Sequence, residues 1–521
     1  MSERRFYVTT PLYYVNDEPH IGHAYTTVLA DVLARFHRLH GDTTHFLTGT
    51  DEHGQKIVEA AAENGRGPRE HCDLMAARFR ETWRVLQISN DDFIRTTEPR
   101  HEKVVQRILT QLFERGEIYQ DTYEGLYCVP DERFWTEKDV VDGNCPDCGR
   151  PVVPLSEKNY FFRMSRYQEW LMRHIADNPG FIQPGSRRNE VLGFLKKPLG
   201  DLCISRPAAR LSWGIPLPFD PEYVTYVWFD ALLNYYSAVE GMEAPGLDGW
   251  WPATYHLIAK DILTTHAVYW PTMLRAAGLE MPKTILAHGW WTHAGRKMSK
   301  SLGNVVHPIR MSETYGVDGF RFFLMRDMVV GLDSDFSEPA LIARINSDLA
   351  NDLGNCLNRV ERMMHAHFAD RIPAPKTLDA ADEGLAQQAR LTIDKVFAAM
   401  EEVRIHQAIE ETLELVRAVN RYLEVKAPWK AVKNGGPEAI AATLATAAEA
   451  IRLAVSLLIP VMPGKCGEAL YRLGMIDAPD ALVAGPADPA WLHWGGLRPG
   501  APIRPGGPLF PRIETATDTS A

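Results

Sequence analysis

The chain has 521 residues, too many for one compact core, so three or four structural units are expected. Its composition is globular, with 45% hydrophobic and 24% charged residues, and no apolar run approaches the roughly 18 residues a membrane helix needs. The 56 basic and 67 acidic residues leave a formal charge of −11, which taken alone argues against a chain built to coat a polyanion. The opening MSERRFYVTT lacks the apolar core of a secretory signal, and seven cysteines, an odd number, argue against a disulfide framework. A cytoplasmic protein with no membrane partner is expected.

In chain order, Arg5–Thr9 has strand composition and Pro11 breaks it. From Ile21 the apolar residues Val28, Leu29, Val32, Phe36 and Leu39 recur at helical spacing, and Gly41 supplies the stop. His45-Phe46-Leu47 reads as a short strand leading into a loop over Gly49–Gly54. Val104, Val105, Ile108, Leu109, Leu112 and Phe113 mark a helix closed by Gly116. Strands alternating with helices predict a parallel, nucleotide-binding sheet in an α/β fold. From about 117 to 225 aromatics, prolines and short strand-like runs dominate, as in an insertion that interrupts the first unit. The strand–helix rhythm returns at Tyr226–Phe229 and at His256–Ala259. Beyond about 340 the pattern is helical, and from 481 seven prolines predict an extended tail in which Leu509, Phe510 and Ile513 can dock on the body.

Two motifs carry chemistry. His20-Ile-Gly-His23 falls at a strand-to-helix junction, where free backbone N–H groups and the helix dipole favour phosphate. Two imidazoles three residues apart can donate to one phosphate, and Gly22 lets a ligand approach the backbone. Alone, the motif is equally compatible with two surface histidines beside a turn. Lys297-Met-Ser-Lys-Ser301 is a glycine-flanked basic string able to swing onto a triphosphate and neutralise charge on the leaving group. Such a five-residue string arises by chance in roughly one chain in 6,000 of this length.

Together these motifs resemble the signatures of class I aminoacyl-tRNA synthetases. The intervening Leu47-Thr-Gly-Thr-Asp51-Glu-His-Gly54, Tyr226-Val-Trp-Phe-Asp230-Ala231 and Lys260-Asp261-Ile262 are similar to the methionyl-tRNA synthetase family, and the likeness runs from about residue 5 to 515. The resemblance implies a Rossmann-type catalytic domain in two halves, 1–116 and 226–290. It further implies an inserted connective domain at 117–225, a loop and stem-contact region at 291–345, an all-α anticodon-binding bundle at 346–480 and a tail at 481–521. By the same resemblance Tyr14, His20, Gly22, His23, Lys260, Asp261, His288 and Lys300 surround ATP with its Mg²⁺. His20, His23, Lys297 and Lys300 are the catalytic set, with Lys300 assisting pyrophosphate departure. Leu12, Asp51, Trp228, Ala231, Tyr235, Ile262, His266 and Trp270 form an L-methionine pocket. A carboxylate such as Asp51 suits an ammonium group, and aromatics suit a thioether. Outside the resemblance, Trp228 and Trp270 read as plain core. Ala259 stands where glycine often precedes the Lys-Asp pair, and Leu232 where some relatives have proline; both are expected to alter pocket shape rather than reaction class.

The resemblance also implies a zinc knuckle in the insertion. Cys128-Val-Pro-Asp131 and Cys145-Pro-Asp-Cys148 supply four positions, with Asp131 where a cysteine is usual; zinc accepts carboxylate oxygen, so a structural Cys₃Asp site is chemically sound. The alternative is a knuckle that has lost its metal. In the bundle, Asn355 and Arg359 share a helical face and Trp429 offers a stacking ring. These three are expected to read the CAU anticodon of initiator and elongator tRNA(Met), and a monomer is expected. The rivals are a small nucleotidyltransferase using the same histidine motif, a non-catalytic RNA-binding relative, and a cysteine- or leucine-charging enzyme. The charge is unevenly spread: residues 376–417 hold nine acidic and five basic side chains, 296–362 nine of each, and 187–210 six basic against two acidic. The last segment is expected to guide the acceptor end of the tRNA.

Overall fold

In a computed structural model, residues 4–128, 133–135, 139–146, 148–243, 249–298 and 304–514 are described. The first segment runs β1 (Arg5–Thr9), β2 (Tyr13–Tyr14), α1 (Ile21–His40), β3 (Thr43–Asp51), α2 (Gln55–Glu63), α3 (Pro68–Val85), β4 (Asp92–Arg95) and α4 (Pro99–Glu114). A second follows with β5 (Ile118–Cys128), β6 (Arg133–Trp135), β7 (Val153–Phe162), α5 (Gln168–Asp177), β8 (Ile182–Gln183), α6 (Gly185–Phe194), β9 (Leu202–Cys203), β10 (Ser205–Pro207), β11 (Pro216–Leu217) and β12 (Asp220–Thr225). Next come α7 (Val227–Leu232), α8 (Asn234–Ser237), β13 (Tyr255–Ala259), α9 (Trp270–Ala277) and β14 (Thr284–His288).

The central sheet is parallel throughout. β3 pairs with β1, β2 and β4; β1 pairs with β13, β13 with β14, and β14 with β8. Parallel pairing demands crossovers, and the helices that make them cover the faces, which is why β1, β3 and β14 are almost wholly buried. Edge strand β8 comes from within 117–225, so that segment both builds its own antiparallel sheet, β6-β5-β7-β9, and completes the parallel one. Two expectations change here. The Gly49–Asp51 stretch is strand rather than loop, and glycine is required because a Cβ on Gly49 would sit 2.0 Å from the Ile94 carbonyl oxygen of β4. The Tyr226–Phe229 run opens helix α7, since a four-residue apolar run does not separate buried strand from buried helix.

After β14 the chain forms β15 (Trp291–His293), β16 (Arg296–Lys297), α10 (Pro308–Tyr315), α11 (Val317–Asp327), β17 (Ser334–Phe336) and α12 (Glu338–Arg344). A π-helical stretch, Ile345–Gly354, leads into α13 (Asn355–Phe368), α14 (Ala380–Glu401), α15 (Ile405–Lys426), α16 (Pro428–Gly435), α17 (Ala441–Leu458) and α18 (Pro463–Arg472). Contrary to the expectation from composition, Pro437–Leu458 is long and apolar enough to cross a membrane. It is the central helix of the bundle, and two of its three charged residues pair inside it: Arg452 donates to Glu449, whose carboxylate also accepts from the backbone N–H of Gly495, Gly496 and Leu497 in the tail. The tail docks as expected, with Leu509 and Phe510 buried and Ile513 exchanging hydrogen bonds with Asn346.

One buried carboxylate joins catalytic sheet and bundle. Asp31 of α1 accepts from Ser89 N–H and hydroxyl, from Arg35 Nε at 2.8 Å and from Arg321 Nη2 at 2.7 Å. Arg321 of α11 also donates to the carbonyls of Leu86, Pro460 and Val461, and Arg35 to those of Gln87, Leu482 and Val483. Burial pushes Asp31 upward, but the two guanidinium groups and Ser89 outweigh it and hold the carboxyl at about 2. An unfolded aspartate titrates near 3.9, so this contribution is complete above about pH 4 and is lost as pH falls towards 2. Arg321→Ala should cost about 3–5 kcal/mol in urea unfolding at pH 7. Asp31→Asn should flatten the loss of stability between about pH 4 and 2; an unchanged acid limb contradicts this account.

Candidate active site

At the carboxyl ends of β1, β3, β13 and β14 a cavity of about 470 Å³ opens over the first turn of α1. His20 is the N-cap: its Nδ1 accepts from Gly22 N–H at 3.0 Å, while His23 Nδ1 accepts from His20 N–H at 3.3 Å. The two histidines thus form a reciprocal capping box, their rings stacked 3.8 Å apart. A ring whose Nδ1 accepts carries its proton on Nε2, so each neutral imidazole keeps an N–H to donate. Burial lowers both pKa values, His23 the more strongly. Gly22 is required beneath the cap, because a Cβ there would lie 2.9 Å from His20 Cε1.

Most predicted site residues line this one cavity: Leu12, Tyr14, His20, Gly22, His23, Asp51, Trp228, Ala231, Tyr235, Asp261, Ile262, His266, His288 and Lys297. Tyr235 donates its hydroxyl to His266 Nε2 at 2.7 Å, and His266 Nδ1 donates to the Ile262 carbonyl at 2.9 Å. His266 sits in a π-helical turn, Thr265–Tyr269, that aims it inward. His288 lines the wall with both nitrogens engaged: Nδ1 donates to the Gly289 carbonyl at 2.7 Å and Nε2 lies 2.7 Å from the Thr26 hydroxyl.

Two predicted residues stand back from the cavity. Trp270 is buried behind Tyr235, donating its indole N–H to His256 Nε2 at 3.2 Å. A tryptophan at the start of a core helix fills the layer under the pocket wall. Lys260 turns to the rim, 2.6 Å from Asp333 and 4.1 Å from the Trp290 ring centre. Lys297 lies at 4.1 Å from the same ring. Trp290, Lys56, Thr26 and Asn234 also line the cavity and escaped the sequence reading. Trp290 had a signal, its place between His288 and the basic loop; the others had none. Lys300 and Asp131 lie outside the described residues.

The Sγ atoms of Cys128, Cys145 and Cys148 all fall within 4.8 Å of one another, and Cys128 and Cys148 are 3.5 Å apart. A disulfide needs about 2.05 Å, whereas thiolates about 2.3 Å from a tetrahedral zinc stand about 3.8 Å apart, so the cluster fits that metal. In the bundle, Arg359 of α13 pairs with Glu424 at 2.8 Å and lies 5.1 Å from the Trp429 ring, with Asn355 exposed one turn earlier. The basic 187–210 segment is smaller at the surface than its sequence suggests. Arg206 is buried against Tyr226 and Tyr127, leaving Lys196, Lys197 and Arg210 exposed, the last paired with Glu157, and Arg187 and Arg188 half-buried.

A parallel sheet with a histidine-capped helix at its carboxyl edge and lysines at the rim is the catalytic architecture of class I aminoacyl-tRNA synthetases. A family model described as tRNA synthetases class I (M) matches residues 6–153 and 150–361, and one described as the anticodon-binding domain of methionyl tRNA ligase matches 372–515. The chain is 42% identical to the methionine–tRNA ligase of Thermotoga maritima over 98% of its own length and 80% of the relative's. It is also 42% identical to that of Thermosynechococcus vestitus, over 98% and 97% of the two chains. Its fold matches Mycobacterium tuberculosis methionyl-tRNA synthetase in complex with methionyl-adenylate, with a TM-score of 0.91, 39% identity, and coverage of 98% of this chain and 100% of that one. The chain belongs to the methionyl-tRNA synthetase family.

Burial lowers His266 to about 4, so its ring is neutral throughout the physiological range. A ring-proton titration of the free protein, with the signal assigned by its absence in His266→Gln, should give a midpoint near 4; a midpoint above about 6 contradicts the enclosed geometry.

Proposed function

We infer that the chain activates L-methionine with ATP and transfers it to the 3′ end of tRNA(Met), initiator and elongator alike. The methionine carboxylate oxygen attacks the α-phosphorus, a P–O bond breaks and pyrophosphate leaves. A terminal ribose hydroxyl then attacks the activated carbonyl and AMP departs. The observation that carries this reading is the continuity of one cavity, with the capped histidines of α1 at one end and Asp51, Trp228, Ala231, Tyr235 and His266 at the other.

The residues fit the two halves of the substrate set. His20 and His23, neutral and donating from Nε2, suit phosphate oxygens at a helix N-terminus. Lys260, Lys297 and Lys300 meet the charge that Mg²⁺ on the nucleotide leaves unneutralised. Asp51 suits the methionine ammonium, and the aromatic wall suits its thioether, at roughly 0.3–1.5 kcal/mol per sulfur–ring contact. No side chain needs to act as a nucleophile, so positioning supplies most of the catalysis. Asn355, Arg359 and Trp429 form a recognition face for the anticodon, where the ring stacks an unpaired base. Lys196, Lys197, Arg187 and Arg188 guide the acceptor end. The work is cytoplasmic.

Methionine-dependent exchange of pyrophosphate into ATP tests the reading: no exchange with methionine, or faster exchange with cysteine or leucine, overturns it. Arg187→Ala with Arg188→Ala should preserve exchange and weaken charging, with a shallower salt dependence. If charging and its salt slope stay the same, the guiding role is wrong.

Cys128, Cys145, Cys148 and Asp131 hold a structural zinc ion whose contribution is to stiffen the insertion. Metal analysis of the purified protein should find one zinc per chain, lost in Cys145→Ser together with several degrees of melting temperature. Absence of zinc from protein purified without chelators refutes the site.

A further inference from the structure

A buried polar cluster lies directly behind the amino-acid end of the cavity, and the reaction as described makes no use of it. Asp230 of α7 is completely enclosed. Its Oδ2 is 2.6 Å from His53 Nδ1 and its Oδ1 is 2.7 Å from His101 Nε2. His101, from α4, reaches on through Nδ1 to the Ser237 hydroxyl of α8 at 2.8 Å. The His53 ring packs beside Trp213, whose indole N–H donates to the Glu52 carbonyl at 2.6 Å. Two histidines, from just beyond β3 and from α4, therefore meet on the α7 carboxylate, and α8 joins through His101.

A carboxylate sealed from water is costly unless it is paired and hydrogen-bonded, and both oxygens of Asp230 are. Burial raises Asp230, but His53 and His101 outweigh it and keep the carboxyl low. Burial likewise works against the charged form of His53, and Asp230 reverses that and raises it. The neighbouring Glu52 is committed elsewhere, to Arg95 through both oxygens and to the hydroxyls of Thr50 and Thr97.

The positions of these groups along the chain give the cluster its meaning. His53 lies two residues beyond Asp51, the last residue of β3. Asp230 lies between Trp228 and Ala231 on α7, a helix of six residues. So short a helix has no stability of its own and takes its place from tertiary bonds. The His53–Asp230 link therefore ties the strand end that brings Asp51 to the cavity to the helix that brings Trp228 and Ala231 to it, and His101 holds the second oxygen of Asp230.

We propose that Asp230, clamped by His53 and His101, is a positioning residue for L-methionine that fixes the gap between Asp51 and the Trp228–Ala231 wall. The proposal rests on the reading of this cavity as the methionine site. It assigns the cluster no contact with substrate and no part in the ATP end, which gives it a distinctive signature. In pyrophosphate exchange, Asp230→Asn should raise the methionine KM by about tenfold while the ATP KM changes less than about twofold. His53→Leu should do the same. His53→Asn, whose amide nitrogen reaches the place of Nδ1, should recover most of that loss. An unchanged methionine KM in both Asp230→Asn and His53→Leu overturns the proposal, and so does an equal rise in both KM values. Failure of His53→Asn to improve on His53→Leu also overturns it, because it leaves only a general packing role. Each variant is compared with the parent chain. A parent without methionine-dependent exchange refutes the functional reading itself, an outcome distinct from any of these.

Discussion

The arrangement of this chain depends on the Asp31 carboxylate. Two guanidinium groups, of Arg35 and Arg321, meet on one of its oxygens in a site closed to water. Without the carboxylate between them, two like charges would face each other in low dielectric. With it, their remaining N–H groups reach carbonyls in three distant segments, at 86–87, 460–461 and 482–483. Asp31 belongs to α1, whose first turn holds the histidine cap. A helix of 20 residues is about 30 Å long and bends little. The same rod therefore carries the histidine-capped end of the cavity and the junction with the bundle, and the distance between them is set by packed elements rather than by a linker.

Charge within the cavity is distributed by depth. His266 and His288 are buried and His20 and His23 half-buried, and each is anchored through one or both ring nitrogens, so all four act as fixed, neutral hydrogen-bonding groups. The cations stand at the mouth: Lys56 near the Tyr14 ring, and Lys260 and Lys297 against Trp290. An ammonium group on an aromatic face gives up less hydration than one sunk in the interior. Neutral hydrogen-bonding groups inside the cavity and mobile charge at its mouth are thereby kept in separate electrostatic environments.

What the sequence made legible follows from locality. Strand β1, helix α1 with its stop at Gly41, and the histidine cap depend on residues within a few positions of one another, and pattern finds them. The apolar run at Tyr226 misled because its state depends on which slot of the sheet is already filled by β13, a fact of tertiary packing. Edge strand β8, two residues long, has no periodicity to detect. Site residues that lie inside a recognisable string were found; Lys56 and Thr26, which reach the cavity from unremarkable helical positions, were not. The bonds at Lys260 and Trp270 are with partners 73 and 14 residues away, and chain order carries no record of them.

The net charge of −11 is itself partly a packing fact. Among the described residues ten carboxylates are buried, Asp31, Glu52, Asp230, Glu361 and Glu449 among them, against five buried guanidinium groups. Close to half of the negative excess is therefore interior, spent on holding helices, backbone N–H groups and imidazoles in place. It is largely invisible to a polyanion, because paired charges in the interior project little field beyond a Debye length of about 8 Å. The outer surface of the described residues is closer to balance than the composition implies. A chain of this kind repels nucleic acid less than its net charge suggests.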